Sequence, residues 1–260
     1  MMASNFIDRI PLWALYLITS AIVLLSTEAG WRLGNYRQKS HREEKKVPVS
    51  TATGSTLGLL AFLLAFTFGM AATRFDTRKQ IVLQEANAIG TTYLRVDFLP
   101  EQSQEEARQL LREYAVIRSG GATLIMSPEG MAKSGKLQDR LWAIAADTGT
   151  RSDSIATGLF IQSLNEMIDL DATRVTANRN RIPDSIWLVL CAITILSMAA
   201  MGYQFGLTGA RSWVTMIFLV MVFTPVILLI ADLDRPQAGL LQVSQQPMLD
   251  LVSRIGPPTP

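Results

Sequence analysis

Cysteine and histidine are all but missing: Cys191 and His41 are the sole examples in the chain. A single cysteine excludes an intramolecular disulfide, and a single distant histidine argues against a His/Cys metal cage. Cys191 sits inside an apolar run, where a thiol in lipid is the plain reading. Net charge is scarce as well. At +2 the chain has no general attraction for nucleic acid, and no basic stripe with interleaved aromatics appears. There is no Gly-rich phosphate loop, no G-x-S-x-G and no H-E-x-x-H. No enzyme, catalytic residue, metal or cofactor is therefore expected. Two carboxylate groups remain. Glu166, Asp169 and Asp171 read as a solvated or salt-bridged helix face, and Asp232 with Asp234 as the interfacial cap of a membrane helix.

What the sequence has in quantity is apolar residues in blocks. Residues 10–27, 54–73, 186–205 and 213–231 are each long enough, or nearly so, to cross the hydrocarbon core as a helix. None carries a charge at its midpoint. Proton relays and coupled transporters place an ionisable side chain there, so the absence counts against ion-coupled transport and leaves a passive pore open. The first block is flanked by Trp13, Tyr16 and Trp31, suited to the two interfaces. Its leader lacks a basic excess and a cleavage site, which favours a retained helix over a signal peptide.

The predicted architecture is an all-α membrane protein with four transmembrane helices as two hairpins and a helical extramembrane insert between helices 2 and 3. Residues 1–73 form the first hairpin, with a basic loop at 32–50. Residues 74–185 form the helical insert, 186–231 the second hairpin, and 232–260 a polar, Pro-containing tail. The second helix is expected to continue past Arg74 into water, with an interruption at Gly90. In the insert, helices are predicted from Pro100 to Gly120 and over 129–147, with an irregular stretch at 122–128 and a turn at Asp147–Thr150. Pro225 predicts a kink in the last span. The tail reads as extended, ordered only against a partner subunit.

The stretch Gly54–Thr73 organises this layout. Gly54, Gly58, Ala61, Ala65, Gly69 and Ala72 recur at steps of three and four, drawing a small-residue seam of the kind that lets membrane helices pack closely. Leu59, Phe62, Phe66 and Met70 lie on a neighbouring face. That combination suits either the wall of a bundle or the neck of a pore, and Phe62 and Phe66 fit ordinary lipid or helix packing equally well. Arg74 and Arg78 lie one turn apart at the membrane exit, where headgroup contact is the simplest role.

The run LGLLAFLLAFTFGMAATRFDTRKQIVLQEANAIGTTYLRVDFLP resembles the bacterial bestrophin-like membrane proteins, above all in RFDTRK and EANAIGTTYLR. The later segment with Gly202, Tyr203, Gly206 and Gly209 is similar to that family too. The resemblance implies a homo-oligomer, tetramer or pentamer, that conducts inorganic anions among membrane lipids of the bacterial inner membrane. It implies an apolar neck from the second span, with Leu59, Phe62, Phe66 and Met70 lining the pore and Arg74 and Arg78 at its mouth. No acidic calcium clasp like that of animal bestrophins is evident. The span layout also suits stator-type motor subunits or a scaffold or sensor acting through a partner. The short basic loop places the insert on the outer side, whereas the resemblance implies a cytoplasmic insert.

Overall fold

The computed structural model describes residues 10–40, 46–151, 154–209, 213–236 and 239–257, the side chains of 46–48 apart. The loop residues His41–Lys45, together with Arg211, lie outside the described residues.

Among the described residues every regular element is helical. In chain order these are α1 (Leu12–Lys39), α2 (Lys46–Arg95), a 3-10 turn at Val96–Phe98, α3 (Glu101–Ser119), α4 (Gly121–Ile125), α5 (Pro128–Arg151), α6 (Ile155–Arg179), α7 (Asp184–Thr208), α8 (Trp213–Asp234) and α9 (Gln246–Ile255). Among the described residues four stretches are long and apolar enough to cross a membrane: α1, α2, α8 and Ile155–Thr208, whose uncharged part is Ser185–Thr208 in α7. The chain divides into two compact units, Met1–Thr73 with Arg181–Leu241 and Arg74–Asn180 with Gln242–Pro260.

In the first unit α1 and α7 meet backbone to backbone. Gly30 and Gly34 of α1 face Gly202 and Gly206 of α7. A Cβ on Gly206 would stand 2.7 Å from the Asn35 nitrogen and 2.8 Å from the Gly34 Cα. A Cβ on Gly202 would stand 2.8 Å from the Thr27 carbonyl carbon. Glycine is required here because side chains would force the helices apart, losing the dispersion contacts that hold membrane helices together. Gly206→Leu is expected to cost about 1–3 kcal/mol or more through overpacking, read as a lowered melting temperature in detergent. Gly158→Leu, where a Cβ meets open space, should leave melting unchanged or slightly raised; equal melting of the two variants would remove the contact from the fold's support.

Two carboxylates fasten the C-terminal end of α8 in the same unit. Asp234 accepts hydrogen bonds from the Ile182 backbone N–H and the Arg181 Nε–H, each at 3.0 Å. Asp232 accepts from the Leu240 and Leu241 N–H groups, each at 2.9 Å. Both aspartates are buried. They are therefore internal anchors for the segments on either side of the hairpin, rather than the interfacial cap expected of them. The basic connection is also shorter than the predicted 32–50 loop. α1 continues to Lys39, helped by the Glu28–Arg32 pair one turn apart, and α2 already begins at Lys46.

The second unit closes on a core that includes Ile89, Leu111, Tyr114, Leu141, Phe160 and Met167. Four expectations are corrected here. α5 continues through Asp147–Thr150 to Arg151, because Asp147 and Arg151 pair at 2.8 Å across the last turn. The stretch predicted as irregular holds the short α4, entered through Gly121 at φ +75°. The tail is not extended: α9 buries Met248, Leu251 and Ile255 in this core. Gly90 then proves to be a seat rather than an interruption. α2 is unbroken through it, and a Cβ there would lie 2.8 Å from the Arg254 Nη2 and 3.2 Å from the Leu251 Cδ1. The end of α9 is held by Arg112, whose Nε donates to the Ile255 carbonyl at 3.0 Å.

Candidate pore face and a buried ionic cluster

α2 has three faces, and the register of its residues separates them. Thr53, Leu60, Leu64, Thr67 and Ala71 are buried, from 0% to 6% exposed. They form the side packed within the first unit, where Thr53 donates to the Ala200 carbonyl at 3.4 Å and Ser197 to the Thr56 carbonyl at 3.1 Å. The small seam and the bulky row fall on the other two faces. At about 100° per residue the three rows are roughly a third of a turn apart.

Both other rows are open in the protomer. Phe62 is 65% exposed, Phe66 57% and Leu59 49%, with Met70 half-buried. Along the seam, a Cβ on Gly54, Gly58 or Gly69 would meet nothing within 4 Å. Ala61 and Ala65 are exposed and Ala72 half-buried. The seam thus takes no part in packing among the described residues of its own chain, whose close helix contact uses the glycines of α1 and α7 instead. Three glycines that meet no neighbour among the described residues, with two exposed alanines at the same helical spacing, are a surface that burial has not consumed.

The two arginines separate. Arg74 is half-buried, whereas Arg78 is 3% exposed and lies on the packed side of α2 with Ile81, Val82 and Glu85. A side chain withdrawn from solvent within its own protomer cannot gather ions from water, so Arg78 does not suit the pore mouth that the resemblance implied for it.

The second unit holds a polar centre of which only Asp171 reads from the sequence, as part of a solvated or salt-bridged helix face. The Glu85 carboxylate of α2 is fully buried and takes two arginines. Arg118 of α3 reaches Oε1 through Nε, and Arg174 of α6 reaches Oε2 through Nη1, each at 2.5 Å. Asp171 contacts Arg118 Nη1 at 2.5 Å and accepts from the Gln138 Nε2 at 2.7 Å. Gln138 also donates to the Tyr114 hydroxyl at 3.1 Å, and Arg174 donates through Nη2 to the Gln245 carboxamide oxygen at 2.5 Å. Five segments of the unit, α2, α3, α5, α6 and the lead into α9, therefore converge on one cluster.

Electrostatics inside the cluster follow burial and sign. Burial works against the Arg118 charge, but the carboxylates of Glu85 and Asp171 outweigh it and hold its pKa above the ordinary value. For Arg174 burial prevails over the attraction of Glu85, and its pKa falls. Burial likewise raises Tyr114, keeping the phenol neutral. Two arginines and two carboxylates balance in charge, which is what permits them a dry location. Among the described residues no group of three His, Cys, Asp or Glu side chains could hold a metal ion.

Phase was the legible signal for this cluster. Glu85 lies in register with Ile81, Ile89 and Thr92, Arg118 with Leu111 and Tyr114, and Arg174 with Met167. Each is a charge occupying an apolar position of its helix.

Comparison with known proteins adds the following. Residues 20–248 match the family model described as the Bestrophin-like domain. The fold is similar to a crystal structure of a bacterial bestrophin homologue from Klebsiella pneumoniae, at TM-score 0.67 and 14% identity, over 92% of this chain and 97% of that one. A second structure of that homologue, phased on zinc, gives TM-score 0.66 at 14% identity, covering 92% and 96%. A crystal structure described as a membrane protein gives 0.67 at 12% identity, again over 92% and 96%. No curated protein matches the chain.

Proposed function

This chain belongs to the bestrophin-like family, and on that premise we propose that it is a subunit of a homo-oligomeric ion channel, conducting inorganic anions passively across the bacterial inner membrane. The observation that carries the reading is the double exposure of α2. A single membrane-length helix leaves both its small seam and its bulky row uncovered in the protomer. In a ring of copies, four or five in number, the seam of Gly54, Gly58, Ala61, Ala65, Gly69 and Ala72 meets a neighbouring subunit. The row of Leu59, Phe62, Phe66 and Met70 then faces the axis. There it forms an apolar constriction that gates by dewetting, and the positive edges of Phe62 and Phe66 favour an anion at close range. Arg74 stands at the wide end of this row. Lipid covers the remaining apolar surface.

Flux through the purified protein alone tests the proposal. Liposomes containing only this chain are expected to release chloride down its gradient, and a chloride-impermeant protein that requires a second polypeptide would instead support the stator or scaffold reading. Crosslinking in detergent should show a closed oligomer in the same preparation, and a monomer that conducts nothing would end the channel reading.

A further inference from the structure

The solvent-facing surfaces of α3 and α5 are those of an ordinary water-soluble helix. α3 exposes Glu101, Glu105 and Glu106, and α5 exposes Glu129, Lys133, Lys136, Asp139 and Arg140. The part of α2 in the same unit behaves otherwise. Thr77, Gln80, Gln84, Asn87 and Thr91 are all exposed and recur at steps of three, four, three and four. They form one row of hydroxyl and carboxamide groups without a charge. Between Thr77 and Thr91 the charges are kept off it: Arg78 and Glu85 are buried and Lys79, like Asp76 just before the row, falls on the next face; Arg95, one turn beyond Thr91, ends the row and donates to the Leu159 carbonyl at 2.7 Å. Because α2 is a single helix from Lys46 to Arg95, its register can be followed back towards the membrane. The steps from Phe62 through Phe66, Met70 and Thr73 to Thr77 are four, four, three and four. The neutral row is thus the continuation of the bulky row.

We infer that Thr77, Gln80, Gln84, Asn87 and Thr91 line the extramembrane continuation of the ion path and set its charge discrimination. The inference rests on the channel reading above and adds to it the residues that meet the ion outside the membrane. Hydroxyl and carboxamide groups each carry a donor and an acceptor, so they can replace water around a small ion without holding it by a fixed charge. Weak, repeated contacts of that kind suit conduction, which needs an ion to leave each position as readily as it enters. A fixed charge on the row, repeated once per subunit, must then bias the path strongly by sign.

The test is the permeability ratio of Gln84→Glu and Gln84→Lys in planar bilayers under a salt gradient, with Lys136→Glu on α5 as a charge change away from the row. Relative to wild type, Gln84→Glu is expected to raise cation over anion permeability about threefold or more, and Gln84→Lys to lower it by a similar factor. Lys136→Glu should change neither. If the charged variants fail to assemble, Gln84→Cys in a Cys191→Ser background gives a folded channel on which negatively and positively charged thiol reagents should act in opposite directions. Wild-type ratios in both Gln84 variants, together with no effect of either thiol reagent on Gln84→Cys, would overturn the assignment while leaving the channel intact. A wild-type protein without current would overturn this assignment together with the channel reading on which it rests.

Discussion

Replacing Glu85 by alanine is expected to remove about 3–5 kcal/mol of stability, the range for breaking one partner out of a buried ion pair. The side chain is fully buried, and its two oxygens are the carboxylate contacts of Arg174 and half of those of Arg118. Without it, Arg174 retains only the Gln245 carboxamide and, at 3.4 Å, the Arg118 carbonyl. Both arginines would remain dry with one carboxylate between them, and of the two Asp171 pairs with Arg118. Glu85→Gln keeps the shape and removes the charge, so it should lose a large share of the same stability. Asp171→Ala should lose less, because its side chain is 17% exposed and water can replace it. Denaturant unfolding of the three variants gives the ordering. Glu85→Ala within about 1 kcal/mol of wild type, the size of an exposed pair, would show that the cluster is not a support of the unit.

The second large effect lies in the membrane. Phe62→Ala combined with Phe66→Ala is expected to raise single-channel conductance on the order of tenfold, since an apolar constriction limits flow by excluding water and widening it admits a continuous file. Each residue is more than half exposed in the protomer, so the substitution removes little packing within the chain and the folded fraction should change little. Conservative changes on the packed side of α2, such as Leu64→Ala, should instead lower stability by about 2–5 kcal/mol, because Leu64 is 6% exposed. The contrast separates lumen from core on one helix. A double Phe variant with wild-type current and selectivity would place both rings against lipid and remove them from the ion path.

Much of this fold could be read from residue patterns. Uncharged blocks of membrane length mark the spanning helices, and the 3-4 spacing of small and bulky residues separates the faces of α2. What stayed hidden depended on distant neighbours. Gly90 reads as a weak point in a helix unless Arg254 and Leu251 are known to rest on it. Asp232 and Asp234 read as interfacial caps because nothing local reveals that four distant N–H donors, three of them backbone amides, converge on them. Arg78 reads as a mouth charge because its flanking sequence is polar, whereas its helical phase assigns it to the packed side. α9 was masked by prolines, although Met248, Leu251 and Ile255 repeat at helical intervals straight after Pro247. A proline in the first turn is a start signal, not a stop.

The seat of α9 has a consequence for biogenesis. The core of the second unit needs Met248, Leu251 and Ile255, which leave the ribosome only after all the membrane-length segments have been synthesised. Translation delivers residues 74–180 well before that point, so this region must wait as an incomplete nascent intermediate with its Gly90 platform bare. The core of the second unit can thus close only after a segment that follows the membrane-length helices in the chain has been made.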